Sequence, residues 1–169
     1  MIENLKTILF ALILAFFQAF ILQHVEFTSW LRPMPYLILL FTLPLNTNKF
    51  VVLGIAFVLG TFIDLLSGNF GIHSGSMVVF TFVKNSVDKR FVDIDSLALQ
   101  GETFVTRTSK GYFYYLYYSI SLIFVHHLMF FSLDYFEFRS TLRILGLTIG
   151  SSLFTFLFIE LIHLIYKKR

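Results

Sequence analysis

Any chemistry along this chain has to come from oxygen and nitrogen groups. Its 169 residues include no cysteine, which removes thiol nucleophiles, zinc-thiolate sites and disulfides together. The candidates are few and lie in apolar surroundings: Gln18, Asp64, His73, the adjacent His126 and His127, Glu160 and His163. An ionisable group inside a membrane-spanning run is costly, so each is a functional candidate by default. Asp64 has only His73 close to it in sequence, short of the paired groups that acid–base catalysis needs. Its carboxylate is expected to accept amide hydrogens from the Ser67-Gly68-Asn69 turn or from the start of the following helix, where the macrodipole favours an anion. Glu160 and His163 stand one helical turn apart and are expected to pair with each other, with Gln18 or with a lysine, as a bundle-stabilising contact. His126 and His127 diverge by about 100° on a helix, unlike the i, i+4 imidazoles of a metal site, and are expected near the outer interface. Gly71-Ile72-His73-Ser74-Gly75 is one residue out of step with an intramembrane serine-protease loop. Dinucleotide, Walker and zinc-protease patterns are absent, so no catalytic residue, metal or cofactor is expected.

The elements that must position these groups are apolar helices. Of the residues, 57% are apolar and 14% charged, with a mean hydropathy of +0.79, whereas soluble domains carry about 25% charge. Six apolar runs follow one another at about 7–25, 30–45, 50–66, 70–87, 111–131 and 144–166. The longer ones reach the roughly 20 residues that cross a bilayer as a helix. Continuous apolarity without alternation disfavours a β-barrel. The second run is the shortest, with Pro33 and Pro35 placed for a helix start and Pro44 for its end. The third and fourth are joined only by Ser67-Gly68-Asn69 and must form an antiparallel hairpin. Gly54, Gly60, Gly68, Gly71 and Gly75 gather there, with Gly71 and Gly75 on one face, which implies close helix packing. The fourth run reaches full length only if Lys84 snorkels at its inner end.

Charge tests the count. With the amino terminus inside, Lys6, Lys49, Lys84, Lys89, Arg90, Arg107, Lys110, Lys167, Lys168 and Arg169 are inner, and only Arg32, Arg139 and Arg143 are outer. That bias requires an even number of crossings with both termini cytoplasmic, and it reads as membrane orientation instead of nucleic-acid binding. A single all-α membrane domain of six spans is expected. In the inner loop 84–110, Val87, Phe91, Ile94, Leu97 and Ala98 recur at the spacing of a short amphipathic helix lying on the membrane surface, but a solvated connector with one interfacial turn is the expectation. A docking site for a cytoplasmic partner is the alternative.

The run Gly60-Thr61-Phe62-Ile63-Asp64-Leu65-Leu66-Ser67-Gly68-Asn69-Phe70-Gly71-Ile72-His73 resembles a segment of the bacterial rod shape-determining MreD family. There a glycine-bearing helix ends in Asp-Leu, and a short glycine turn leads into a Gly-x-His-like helix start. Asn69-Phe70 stands where the family often has a longer, proline-containing turn. The six-run plan, short second run, inner loop and basic carboxyl end extend the likeness from Met1 to Arg169. The resemblance implies a non-enzymatic subunit of the elongation machinery in the bacterial cytoplasmic (inner) membrane, organising peptidoglycan synthesis. Its implied partners are an MreC-like bitopic protein, RodA, a class B penicillin-binding transpeptidase and the actin-like MreB. It also implies a fold similar to the six-helix substrate-binding subunits of energy-coupling-factor transporters, with Asp64, Gly68 and Gly71 as a structural or partner-contacting hairpin. A ligand-binding subunit of a small-molecule transporter is the second expectation, with Gln18, Asp64, Asn69 and His73 converging toward the outside.

Overall fold

The computed structural model describes residues 2–22, 31–99, 101–107, 111–135 and 141–167. Lys110, Arg139, Lys168 and Arg169 of the charge count lie outside the described residues, as do the side chains of Lys6 and Lys167. Of the described residues 83% are helical, and none lies in a strand. In order come α1 (Ile2–Phe17), a π-helical stretch (Gln18–Leu22), a 3-10 turn (Pro35–Leu37), α2 (Ile38–Thr42), α3 (Lys49–Ser67), α4 (Ile72–Phe91), α5 (Ile94–Leu99), α6 (Tyr112–Tyr135) and α7 (Thr141–Lys167).

Among the described residues three helices are long and apolar enough to cross a membrane, over Lys49–Ser67, Tyr112–Tyr135 and Thr141–Leu164. Local chemistry sets the ends of the first. Asn48 caps it by accepting the Phe50 amide at 2.9 Å, and Gly68 closes it at φ +69°, a left-handed conformation that L side chains resist. Gly71, at φ +80°, then turns the chain into α4. This helix runs antiparallel to α6, with His73 against Phe130 at one end and Asp88 against Tyr118 at the other. It continues to Phe91, past the expected end at 87, so Val87 and Phe91 belong to α4 and not to a loop helix.

The second run differs most from expectation. Helix covers only Pro35 to Thr42, and Arg32 to Met34 are irregular. Yet Arg32 meets Asp134, Tyr36 meets His126, and Phe41 meets Tyr118, all on α6. Those α6 positions are separated by about 24 Å of helical rise. A part-extended backbone therefore covers the distance with few residues. Irregular backbone is tolerable at membrane depth only when protein surrounds it, and Pro33 through Phe41 are all buried. Its free amides are taken by α7: Arg32 N donates to Ser151 Oγ (3.0 Å) and Met34 N to Thr155 Oγ1 (2.9 Å).

The stretch from Val92 to Arg107 is not a solvated connector. Val92, Leu97 and Val105 are buried in the common core, and Leu45 N donates to Thr103 O. This cap closes the end of the bundle where α4 ends and α6 begins.

Candidate functional site

Two clusters of buried polar residues lie toward opposite ends of the bundle, one beside the α3–α4 turn and one toward the cap. In the first, Asp64 is buried in the last turn of α3. Its Oδ1 accepts from His73 N at 2.9 Å and its Oδ2 from Ser74 N at 3.0 Å. No cap comes from Gly71, which has no side chain, so the carboxylate of the preceding helix satisfies the orphan amides that begin α4. Of the two positions open to this carboxylate, it takes the start of the fourth helix. The reach works because α3 and α4 touch backbone to backbone: a Cβ on Gly60 would stand 2.3 Å from Ser74 Cα.

The other hairpin glycines act differently from the close packing expected of them. A Cβ on Gly54, Gly68 or Gly71 would meet nothing within 4 Å, and one on Gly75 would meet only the Leu133 side chain at 3.2 Å. Gly68 and Gly71 matter through positive φ, and Gly60 alone in the hairpin holds two backbones together.

Beside the hairpin the buried Tyr36 hydroxyl lies 2.9 Å from His73 Nδ1, 3.2 Å from His126 Nε2 and 3.4 Å from Met34 Sδ. One hydroxyl proton can serve only one imidazole, so the other ring must donate. His126 Nδ1 is buried with no partner among the described residues, and an orphaned N–H is rarer than an orphaned acceptor. The consistent arrangement has His126 Nε2–H donating to Tyr36 Oη, and Tyr36 O–H donating to the nearer His73 Nδ1. His127 is engaged separately. Its Nδ1 lies 3.0 Å from Ile123 O, and its Nε2 lies 3.1 Å from Thr155 Oγ1 and 3.3 Å from Arg32 O. Both histidines are fully buried in the bundle. The central segment and α7 bring polar partners to them there.

Toward the cap Lys84 is 3% exposed, so it does not snorkel. Its Nζ is held 2.7 Å from Asp88 Oδ2 one turn on, and Tyr118 O–H donates to Asp88 Oδ1 at 2.6 Å. A buried ion pair persists only when its remaining valences are met in this way. Glu160 pairs with Arg107 of the cap, and His163 Nδ1 lies 3.3 Å from the Tyr115 hydroxyl. Neither group takes the partner expected from its own helix, because the cap and α6 come closer. Gln18 is buried in the π-helical stretch and its Oε1 has no partner among the described residues.

The structure thus joins Asp64 to His73 and adds Tyr36, His126, His127, Ser151, Thr155 and Arg107, none of which sequence reasoning had placed in these contacts. The available signals were the prolines that break the second run around Tyr36 and the buried face Thr148, Ser151, Ser152 and Thr155 at helical spacing on α7. Among the described residues no group of three or more His, Cys, Asp or Glu could hold a metal ion. Chemically, the cluster beside the α3–α4 turn can order a helix start and tie one tyrosine to two imidazoles through hydrogen bonds. Comparison with family models, curated proteins and solved structures finds no match to this chain.

Proposed function

We propose that the chain is a non-enzymatic, six-crossing subunit of the MreD type in the bacterial cytoplasmic membrane. In this reading its termini are cytoplasmic, and it binds an MreC-like bitopic scaffold to organise peptidoglycan synthesis beside RodA, a class B penicillin-binding transpeptidase and MreB. Six crossings are supported by the central segment, which accompanies α6 from Asp134 to Tyr118. The observation that carries the reading is the hairpin of the MreD-like motif. Asp64 locks the start of α4 with both carboxylate oxygens, and the rigid turn thrusts out Phe70, which is 94% exposed. A fixed apolar anchor at a glycine-framed tip suits capture of a partner better than turnover of a substrate. A photo-crosslinking residue at Phe70 in native membranes tests this. Attachment to a single-pass wall-synthesis scaffold is expected. Attachment only to lipid, or to an ATPase module, would overturn it.

Gln18 Oε1 and His126 Nδ1, without partners among the described residues, favour the second reading, a ligand-binding subunit of a small-molecule transporter, since buried unsatisfied groups can await a ligand. Co-purification of a small molecule that Gln18→Leu abolishes would bring that reading forward.

A further inference from the structure

The inner cap carries a feature that partner capture at the outer end does not use. Leu99 is 91% exposed and Ile94 38% exposed, although Leu97 of the same short helix is buried against the bundle. The depth of this segment is fixed by the bond from the Tyr114 hydroxyl to Phe91 O (3.1 Å). Tyr114 belongs to the first turn of α6, where Tyr112, Phe113 and Tyr117 are exposed and where amphipathic rings suit the headgroup layer. Phe91 is therefore at headgroup depth, and α5 begins within a turn of it. Lys89 and Arg90, both exposed, precede it on the last turn of α4. Asp93 is occupied locally, accepting from Ser96 N at 3.2 Å, and Asp95 faces out on the first turn of α5. A carboxylate there keeps the helix in the headgroup layer and out of the hydrocarbon.

We propose that the cap is a lipid-binding element: Ile94 and Leu99 enter the boundary between headgroups and acyl chains, and Lys89 and Arg90 bind the phosphates of anionic phospholipids. Adjacent cations and apolar anchors are the combination that holds peripheral segments to the cytoplasmic leaflet. The proposal rests on the membrane-spanning reading of α3, α6 and α7, but not on any protein partner.

Because the chain has no cysteine, single-cysteine variants of the full-length protein take one nitroxide each. Leu99→Cys, Thr103→Cys and Val58→Cys are reconstituted in nanodiscs of phosphatidylcholine, with or without phosphatidylglycerol. Collision with oxygen and with a water-soluble nickel chelate then reports depth. The expected result is interfacial depth for the Leu99→Cys label and an aqueous position for Thr103→Cys. With phosphatidylglycerol, adding Lys89→Gln and Arg90→Gln should lower the ratio of embedded to aqueous label by roughly fivefold per cation removed. A water-like Leu99→Cys label in both lipid mixtures overturns the proposal, as does an embedded one indifferent to lipid charge and to the two cations. Capture of the cap by a soluble protein with the label still in water does the same. The Val58→Cys label on exposed α3 separates the two failures, since its depth reads the membrane assignment alone.

Discussion

Replacing Asp64 tests how the hairpin is held. Asp64→Ala strips the acceptor from two buried backbone donors, His73 N and Ser74 N. Each buried donor left unpaired costs about 1–3 kcal/mol, and an anion at a helix N-terminus adds about 0.3–1 kcal/mol. Access of water to the nearby turn offsets part of this, so the expected loss is about 2–4 kcal/mol. Asp64→Asn retains one carbonyl acceptor but sets an NH2 group against the second amide, and roughly half the loss is expected. The measurement is reversible unfolding in bicelles together with amide exchange at Ser74 and at Phe80, deeper in α4. If the hairpin opens locally, about 3 kcal/mol corresponds to a rise of roughly a hundredfold in exchange at Ser74, with little change at Phe80. An Asp64→Ala protein within about 0.5 kcal/mol of the parent, the range typical of a neutral surface change, would refute the assignment of this carboxylate as the helix cap.

The close approach at Gly60 predicts that Gly60→Val destabilises by about 1–3 kcal/mol or more through overpacking. Gly54→Ala, facing open space, should be neutral or stabilising by up to about 1 kcal/mol from helix propensity; the two melting midpoints decide it. Tyr36→Phe should unpair His73 Nδ1 and His126 Nε2 and cost about 1–3 kcal/mol. Imidazole nitrogen NMR should show both resonances moving while His127 stays in place. Asp88→Leu leaves the buried Lys84 ammonium unpaired and should cost about 3–5 kcal/mol, whereas Lys84→Met with Asp88→Leu should recover much of that loss. A double-mutant cycle in bicelles without coupling would contradict the buried pair.

Much of the helical layout was legible in the order of the residues. The apolar runs around Lys49–Ser67, Tyr112–Tyr135 and Thr141–Leu164 are helices because each can satisfy its backbone internally while exposing greasy side chains all round. The hairpin was legible as well, since Ser67-Gly68-Asn69 leaves too few residues for anything but a reversal. The second run was not, because its proportions depend on what surrounds it. Its extended backbone survives only where Ser151 and Thr155, distant in sequence, accept its amides.

What the sequence by itself determined is therefore local: where hydrophobic length permits a helix, where glycine permits a reversal, and that Asp64 has amides within reach. Tertiary structure alone decided the partners. It gave Asp88 to Tyr118, Glu160 to Arg107, and the two central histidines to Tyr36 and Thr155. The physical reason is that a buried charge or imidazole must find a complementary group in low dielectric, and which group lies nearest is set by helices packing across the bundle instead of by spacing along one of them.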